Sequence, residues 1–435
     1  METISQTRSY CTKCSAYHEA FYRQDGGNVF FTVDCPKGAF QHLISDDAAL
    51  FKALREKAGF DPHEDLPPHL QGKKRFNMLG ITNRCNFKCA ICYASANTEQ
   101  DIEQLTPDEI FKLVPEVKKA GGNTLTITGG EPTLHPDLFS IIGGLRKRRF
   151  FVNMPTNGYR LGTERDFAAR LKASGLNIIT FSFDTLKEEI QQLYRNNTYI
   201  AEKIQALHNA REAGLRMVAI MTLSKYNIDE TGSVIKFLAG YAPALKIVIL
   251  QPYFFTINQR DNNELFNREK IVRREEIINA LISSGAVEGL TQDHFWPLPR
   301  LNLAVHPDCG AIAMLALVQG KIFPLERLLD MKKYYTVLEA GGKKIRPALV
   351  PLHQIKAALQ SVKKGNLLQV LKCFYGFVTG RGKHSLLIIA VEAFMDCAYQ
   401  DEDRSKRCAS AMWRKEGMVR QVGCLISLGV QDQRQ

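Results

Sequence analysis

The order of apolar and polar positions changes twice along the chain and separates a middle region from two flanking regions. From Arg75 to about Pro252, short apolar or β-branched runs alternate with longer amphipathic stretches, which is typical of repeated strand–helix units around a parallel sheet. The pattern predicts six strands, at Phe76–Thr82, Thr124–Thr128, Phe150–Pro155, Ile178–Phe183, Met217–Leu223 and Ile247–Gln251. Six strands are too few to close an eight-stranded barrel, so we predict an α/β fold with a partial (βα)6 barrel of the TIM type.

Helix signals are explicit at one point of this middle region. Thr106-Pro107-Asp108-Glu109 offers an N-cap hydroxyl, a proline at the first helical position and a carboxylate three residues after the cap, and Gly121-Gly122 ends the helix. After about Phe255 the pattern predicts helices and few strands. The predicted helices are Arg268–Ser284, Gly310–Gln319, Pro351–Lys364, Leu367–Gly376 and Leu386–Met395. We therefore expect an N-terminal region over residues 1–74, a core barrel over 75–255 and a mostly helical C-terminal region over 256–435.

The charge balance is uneven along the 435 residues. The chain carries 57 Lys and Arg against 45 Asp and Glu, a net charge of +12. Residues 331–435 alone hold 18 basic and 8 acidic side chains, so most of the excess lies in the last quarter of the chain. Such an excess suits an anionic lipid surface, a nucleic acid or a phosphorylated substrate, and a solvated basic face is the structural alternative.

Neither a secretory signal nor a transmembrane segment is predicted. The first residues have no apolar core, and the longest apolar runs stop far short of the ~20 residues that span a bilayer. We expect a cytoplasmic protein, with peripheral attachment to the inner face of the membrane left open. Eleven cysteines in such a chain favour metal binding over disulfides, because cytosolic thiols are kept reduced.

The sharpest chemical feature is the C-x3-C-x2-C run of Cys85, Cys89 and Cys92, directly after the first predicted strand. Three thiolates on one short loop can bind three irons of a [4Fe–4S] cluster and leave the fourth iron open to a small molecule. A zinc knuckle would need a fourth ligand nearby, whereas Tyr93, Ala94 and Ser95 follow. We identify these cysteines as the catalytic metal ligands.

A second motif, Gly129-Gly130-Glu131-Pro132-Thr133, follows the second predicted strand. Glycines allow the backbone to approach a ligand closely, and the carboxylate of Glu131 could hold an ammonium group. Ligands of parallel barrels bind at this end of the strands. On its own the motif is an ordinary loop, but it comes one strand–helix unit after the three-cysteine loop.

Together the two motifs resemble the radical S-adenosylmethionine (SAM) superfamily, over about residues 75–255. Ile91 stands where that family often has an aromatic residue. The resemblance implies that SAM binds the open iron and is cleaved by an electron from a flavodoxin- or ferredoxin-like donor, giving a 5′-deoxyadenosyl radical that abstracts hydrogen from substrate. It also implies SAM-binding roles for a set of residues after strands two to four: Gly129, Gly130, Glu131, Thr156, Asn157, Ser182 and Asp184.

Several of these positions have a structural alternative. Thr156-Asn157-Gly158 is a competent turn. Ser182 could point outward from a strand, and Asp184 could cap the next helix. Gln251-Pro252, at the end of the sixth strand, is a further candidate for the same face.

The remaining cysteines suggest auxiliary metal sites. Cys11, Cys14 and Cys35 have the spacing of a metal knuckle, whose fourth ligand could be His42 or a cysteine from the C-terminal third. Three C-terminal cysteines lie beside loop signals and are candidate ligands: Cys309, Cys408 and Cys424. Cys373 and Cys397 lie in apolar runs and are expected to be core residues.

This outer arrangement narrows the resemblance to the tetraether lipid synthase-like branch, members of which were also described as pterin-precursor methyltransferases. The branch carries extra iron–sulfur or mononuclear metal sites and joins lipid chains through carbon–carbon bonds. The chain departs from it at Cys35-Pro36-Lys37-Gly38, which lacks a histidine, and at Gly423-Cys424-Leu425.

Three functions follow as hypotheses. The first is carbon–carbon bond formation on a lipid hydrocarbon chain, with an anionic lipid as substrate. The second is methylation or modification of a small pterin-like heterocycle or a nucleic acid. The third, a non-catalytic iron–sulfur carrier, is disfavoured because a carrier has no use for an ammonium-binding loop.

Overall fold

The architecture is taken from a computed structural model. It describes residues 1–11, 14, 16–58, 74, 76–92, 94, 96, 104–254, 267–298, 305–342, 350–395, 399–415 and 417–421. The strands are β1 (Glu2–Cys11), β2 (Ala16–Asp25), β3 (Asn28–Val33), β4 (Phe40–Ser45), β5 (Phe76–Thr82), β6 (Thr124–Gly129), β7 (Phe151–Thr156), β8 (Ile178–Ser182), β9 (Arg216–Leu223), β10 (Leu245–Pro252), β11 (Trp296–Pro297), β12 (Gly310–Val318), β13 (Lys321–Pro324), β14 (His384–Glu392), β15 (Ser410–Arg414) and β16 (Gly417–Gln421).

The helices alternate with the middle strands and then cluster after β13. They are α1 (Ala48–Ala58), α2 (Pro107–Lys119), α3 (Leu138–Lys147), α4 (Tyr159–Thr163), α5 (Phe167–Ala173), α6 (Glu188–Arg195), α7 (Ile200–Glu212), α8 (Thr231–Ala239), α9 (Arg274–Ser283), α10 (Met331–Gly342), α11 (Val350–Ser361), α12 (Leu367–Thr379) and α13 (Glu402–Lys406). Within the described part of the chain, no helix combines the length and apolarity that crossing a membrane requires.

Six parallel strands, β5 to β10, form the centre of the main sheet in chain order. All six predicted strands are present, with ends shifted by at most two residues. The predicted start of α2 is confirmed: the Thr106 hydroxyl accepts from the Glu109 backbone N–H, and the Glu109 carboxylate accepts from the Thr106 N–H. The sheet does not close into a barrel, so the partial-barrel prediction is confirmed as an open parallel sheet.

Two helices predicted in the C-terminal region are wrong, because residues 310–318 and 384–392 form strands β12 and β14. β14 pairs parallel with β10, and β12 pairs antiparallel with β14, so they extend the main sheet. Alternate residues of β12 pack into two different cores: Leu315 faces the core shared with the central strands, and Met314 faces helices α10–α12. A strand buried on both faces is apolar throughout and lacks the alternation that would reveal it.

The opposite edge of the main sheet is formed by the end of the chain. β15 pairs parallel with β5, and β16 pairs antiparallel with β15. The whole sheet has twelve strands, in the order β11-β12-β14-β10-β9-β8-β7-β6-β5-β15-β16, with β13 beside β12. Sequence analysis did not identify these late strands.

The N-terminal region is a separate four-stranded antiparallel sheet, β1-β2-β3-β4, followed by α1. Its core contains Tyr22, Phe31 and Phe51, and it is completed by Met395 and Tyr399 from the C-terminal part of the chain. The Asp401 carboxylate accepts hydrogen bonds from the hydroxyls of Thr7, at 2.9 Å, and Tyr22, at 2.6 Å. The N-terminal sheet is therefore held by residues close to the other end of the chain.

Candidate functional site

The three-cysteine loop leaves the main sheet at the carboxyl end of β5. Cys85, Cys89 and Cys92 are all partly buried and form no disulfide. The Cys92 N–H donates to the Cys89 carbonyl at 3.3 Å, which curls the end of the loop. Burial raises the pKa of the Cys85 thiol to about 12, and the charges of Glu131 and the other two cysteines add to this. A bound metal would reverse this shift, since positive charge stabilises thiolates, so the donor set fits a metal cluster.

Gly129 and Gly130 bring the end of β6 against the base of this loop. A Cβ at Gly129 would lie 1.9 Å from the Thr82 carbonyl oxygen, and one at Gly130 would lie 2.3 Å from that of Arg84. Gly129 also has φ +137°, which disfavours any other residue. The backbone is tied here by hydrogen bonds from Gly130 N to Thr82 O, 2.7 Å, and from Glu131 N to Arg84 O, 2.8 Å. At these two positions the close approach is between two segments of the protein itself.

The carboxylate of Glu131 is buried and accepts four hydrogen bonds. Oε1 accepts from the Thr133 N–H at 3.1 Å, the Thr133 hydroxyl at 2.6 Å and the Thr156 hydroxyl at 2.8 Å. Among the described residues, Oε2 accepts one hydrogen bond, from the Asn157 N–H at 2.8 Å. Burial raises the pKa of Glu131, and the hydrogen bonds oppose this shift. A carboxylate oxygen has about two acceptor positions, so Oε2 can accept one more donor.

Asn157 connects the end of β7 to the cysteine loop. Its side-chain N–H donates to the Asn86 side-chain oxygen at 2.8 Å. One residue further along the loop, the Phe87 ring packs near the rings of Tyr159, at 6.2 Å, and Tyr199, at 5.7 Å. Asn86 and these three rings were not predicted, because the motif specifies only its cysteine positions and Tyr159 and Tyr199 lie outside it.

Asp184 is buried at the end of β8 and pairs with Arg195 from the end of α6. The Arg195 Nε and Nη2 donate to the carboxylate at 2.7 and 3.1 Å, and the Thr222 N–H donates at 2.9 Å. Burial disfavours ionisation of Asp184, but the guanidinium outweighs it and holds the pKa below its usual range. Arg195 also lies within hydrogen-bonding reach of Cys89. Asp184 therefore positions a cation beside Cys89. It does not cap the next helix, whose N-cap is Lys187. Ser182, two residues earlier, is partly buried on β8.

A second buried cation, Lys203 of α7, lies in the same neighbourhood. Its ammonium donates to the Gln191 side chain at 3.2 Å. Burial lowers the pKa of Lys203 to about 8, although the charges of Asp184 and Cys89 favour the protonated form. Neither Arg195 nor Lys203 was identified from the sequence, because their partners are distant along the chain. Both cations lie close enough to Cys89 to interact with it electrostatically.

A cavity of about 290 Å³ lies at the carboxyl ends of β10 and β14, between the main sheet and the N-terminal sheet. Its wall includes four aromatic rings and two arginines: Tyr253, Phe254, Phe394, Tyr399, Arg268 and Arg273. Four arginines and two carboxylates line it in all, so positive charge predominates. The two carboxylates, Glu275 and Asp308, are paired with Arg274 and Arg55.

The cavity shares a wall with the cysteine loop. Ile91, between Cys89 and Cys92, packs in one apolar cluster with Tyr253 and Ile271, and both of these also line the cavity. Gln251, the candidate at the end of β10, donates a hydrogen bond to the Thr222 hydroxyl at 3.2 Å. Its neighbour Pro252 lines the cavity.

The predicted N-terminal knuckle comes together in the structure. The sulfur atoms of Cys11, Cys14 and Cys35 all lie within 4.8 Å of one another. This spacing fits three thiolate ligands around one metal ion. His18, which the sequence analysis did not consider, lies with Nε2 2.8 Å from the Cys14 sulfur. His42 is instead stacked on Tyr399, with ring centroids 4.9 Å apart, at the cavity.

Three of the C-terminal cysteines, Cys309, Cys373 and Cys408, lie in the described part of the chain. Cys309 lies close enough to Cys408 for their charges to interact, and burial raises the pKa of Cys309 to about 11. Cys373 is fully buried in the core beneath α12. Cys424 and Cys397 lie outside the described residues.

In comparisons with known proteins, the middle of the chain matches a family model, and nearly the whole chain aligns with one relative. Residues 79–238 match the model of the radical SAM superfamily. A 7,8-dihydro-6-hydroxymethylpterin dimethyltransferase of Methanocaldococcus jannaschii is 25% identical over 458 residues, covering 93% of this chain and 89% of that protein.

A further relative and a solved structure each cover about half of the chain. A probable GTP 3′,8-cyclase of the same organism is 25% identical over 237 residues, covering 52% of this chain and 78% of that protein. Among solved structures, Streptococcus suis SuiB bound to S-adenosylmethionine aligns with a TM-score of 0.38 and 16% identity, over 47% of this chain and 44% of that one.

Proposed function

We propose that Cys85, Cys89 and Cys92 bind the [4Fe–4S] cluster of a radical SAM enzyme. Residues 79–238 form a radical SAM domain, and the chain is a radical SAM enzyme that uses such a cluster and SAM. The three cysteines share one loop and form no disulfide, and burial raises the pKa of Cys85; these observations support this ligand set. When bound, the cluster supplies the electron that cleaves SAM, and the resulting deoxyadenosyl group abstracts hydrogen from substrate. A reduced flavodoxin- or ferredoxin-like protein is the expected donor.

The residues around the loop would orient SAM and the cluster. The remaining acceptor position on Glu131 Oε2 suits the SAM ammonium, and the adjoining Gly129-Gly130 backbone, Thr156, Asn157 and Ser182 complete the proposed SAM site. Asp184 acts through Arg195 and is a positioning residue. The guanidinium lies within hydrogen-bonding reach of Cys89 and would help to orient this ligand.

We propose that the substrate is a lipid hydrocarbon chain, on which the enzyme forms a carbon–carbon bond. The cavity beside the cysteine loop is the observation that carries this proposal. Its aromatic wall suits a methyl or methylene segment, and its excess of arginines suits an anionic headgroup. A space of about 290 Å³ takes the reacting end of a chain and not a whole lipid.

A second candidate is methylation of a small heterocycle. Its support is the similarity over nearly the full length to the pterin dimethyltransferase. The stacked His42 and Tyr399 rings at the cavity could also flank a planar ring system.

Auxiliary metal binding is also part of the proposal. Cys11, Cys14 and Cys35, with His18 beside them, would bind one ion or cluster. Cys309 and Cys408, behind the cavity wall formed by Asp308 and Arg404, would contribute to another, for which Cys424 is a further candidate ligand from its sequence position alone.

Anaerobic reconstitution followed by product analysis tests the proposed function. The reconstituted enzyme and a reductant should produce 5′-deoxyadenosine, which should rise when a lipid extract is added and should accompany a coupled lipid of twice the chain mass. Formation of a methylated pterin with no change in lipid would favour the second candidate. S-Adenosylhomocysteine alone, with no 5′-deoxyadenosine, would contradict both.

A Phe394→Ala variant checks the role of the cavity. It removes an aromatic wall beside Phe254, whose ring lies 4.8 Å away, without touching the cysteine loop. We expect 5′-deoxyadenosine to form without coupled product. Unchanged product in this variant would place the substrate elsewhere.

A further inference from the structure

Helix α12 exposes a continuous apolar face. Among the described residues, eight large hydrophobic side chains are exposed, and six of them lie on α11 and α12: Leu359, Leu367, Leu368, Leu371, Tyr375 and Val378. The five on α12 fall within an arc of about 100° on an ideal helix. The opposite face, with Val370 and Cys373, is buried against the sheet. The exposure is therefore a property of one helix face and not of scattered surface residues.

The chain around this face is strongly basic. Between Glu339 and Glu392 there are nine Lys and Arg residues and no acidic residue. Six of these basic residues lie in the described part of the chain and are exposed: Lys356, Lys363, Lys364, Lys372, Arg381 and Lys383. An exposed apolar stripe bordered by lysines, with a tyrosine in it, is typical of helices that lie in the interface of a membrane.

We propose that α12 docks the enzyme on the surface of an anionic lipid bilayer. The apolar side chains enter the boundary between headgroups and acyl chains, and the surrounding lysines contact lipid phosphates. At 13 residues α12 is about 20 Å long, too short to span the bilayer, so it lies in the plane of the surface. This inference goes beyond the proposed reaction and does not depend on it.

Charge selects the bilayer over a second copy of the chain as the partner of this face. A symmetric dimer through α12 would bring two copies of the same acid-free stretch together, which is unfavourable. An anionic membrane offers the opposite charge and an apolar layer behind it. A nucleic acid offers the charge but no apolar layer, so it would leave Leu368 and Tyr375, 63% and 60% exposed, in water.

Co-sedimentation of the full chain with vesicles tests the proposal. Vesicles of equal parts phosphatidylglycerol and phosphatidylcholine are compared with phosphatidylcholine alone, from low to high NaCl. We expect binding to the anionic vesicles that weakens with salt, and little binding to the neutral ones. Two triple variants probe the two parts of the surface: Leu368→Gln, Leu371→Gln, Tyr375→Gln, and Lys364→Glu, Lys372→Glu, Lys383→Glu. Each should weaken partitioning by at least about tenfold.

A charge-matched control separates this surface from the general positive charge. Lys112→Glu, Lys119→Glu and Lys147→Glu alter exposed lysines on α2 and α3 by the same net charge and should leave binding nearly unchanged. All three variants should form 5′-deoxyadenosine like the wild type, which would show that they are folded. If the wild type itself formed no 5′-deoxyadenosine, that result would count against the proposed reaction and not against membrane docking. Equal vesicle binding by the apolar variant and the wild type would overturn the proposal. So would binding abolished by competing RNA, or a dimer in solution that only the apolar variant disrupts.

Discussion

The buried carboxylate of Glu131 joins three segments through its four hydrogen bonds. Thr133 lies just after β6, and Thr156 and Asn157 lie at the end of β7. The sequence motif indicated a ligand-binding carboxylate but not these donors, since Thr156 and Asn157 were themselves assigned to the ligand. The structure brings Glu131, Thr156 and Asn157 together, as the motif led us to expect, whereas their mutual hydrogen bonds depend on how two loops meet and could not be derived from the sequence.

Replacing Glu131 by Gln should weaken SAM binding and also destabilise the loop. The loss of a charge-assisted hydrogen bond of about 1.5–3 kcal/mol lowers the affinity about ten- to a hundredfold. The side-chain NH2 of the new glutamine also faces the Asn157 N–H, so two donors meet and the hydrogen bond is lost. This costs about 1–3 kcal/mol of stability. SAM affinity and melting temperature are measured at matched cluster content.

Thr133→Val provides the control for Glu131→Gln. It removes the hydroxyl that donates at 2.6 Å but keeps the carboxylate charge. It should lower the melting temperature while leaving SAM affinity within about threefold. If Glu131→Gln kept full SAM affinity, the carboxylate would have a structural role only.

Replacing Cys85, Cys89 or Cys92 by Ala should abolish 5′-deoxyadenosine formation while the chain still folds. The loop lies beyond the end of β5, and the packed strands hold the core. Cys373→Ala, in the core beneath α12, is the control and should retain activity. Iron content and 5′-deoxyadenosine are measured; normal product in any loop variant would contradict the ligand assignment.

At the scale of elements, the strands and helices that alternate in β5–β10 were predictable, and the strands added to them were not. Between β5 and β10 each helix has a polar face and each strand is followed by a turn. β12 is a nine-residue apolar run and β14 contains a six-residue one, Leu386–Val391; in both strands the two faces pack into different cores, so neither period appears. Pairing partners far away in the chain decided their conformation.

The proposed metal site of the N-terminal sheet should be separable from radical chemistry. Cys14→Ser removes a thiolate that lies 3.6 Å from the Cys35 sulfur and 2.8 Å from His18 Nε2. We expect bound metal to fall by about one ion or cluster per chain, while 5′-deoxyadenosine formation persists. Metal analysis and activity are compared with Cys373→Ala; an unchanged metal content would remove the proposed site.

Glu326, which follows β13, predicts a pH dependence of stability. Its Oε1 accepts from the Trp296 indole N–H at 3.2 Å, and its buried Oε2 has no partner among the described residues. Burial raises the pKa of Glu326 to about 7. The folded state then binds more protons than the unfolded state between about pH 4.5 and 7. The contribution of Glu326 to the free energy of unfolding is fully present below that pH range. It falls by about 1–3 kcal/mol as the pH rises through the range.

Glu326→Gln should therefore match the wild type at pH 5 and melt about 1–4 °C higher at pH 8. Glu288→Gln is the control: this exposed carboxylate pairs with Arg327, which lowers its pKa, so its loss should not stabilise the fold at pH 8. Thermal unfolding at the two pH values is the measurement. An equal melting difference at both would show that Glu326 has an ordinary pKa.

At the scale of the whole molecule, the two ends of the chain complete structures begun by other parts. β15 covers the free edge of β5, and the Trp413 indole N–H donates to the Asn77 side-chain oxygen at 2.9 Å. Asp401 binds the N-terminal sheet through Thr7 and Tyr22, and Asp308 pairs with Arg55 of α1. The sequence suggested that the ends meet through shared metal ligands, whereas the described contacts are strand pairing and hydrogen bonds.

The pairing of β5 with β15 constrains when the protein can finish folding during synthesis. Trp413 and Asn77 are 336 residues apart, so at 5–20 residues per second the ribosome needs roughly 20–70 s to make the partner of β5. Throughout that interval β5 presents an unpaired edge, next to the loop that receives the iron–sulfur cluster. Nascent chains would be open to chaperones, and to aggregation, at this edge. Slow translation of the last residues would prolong that exposure.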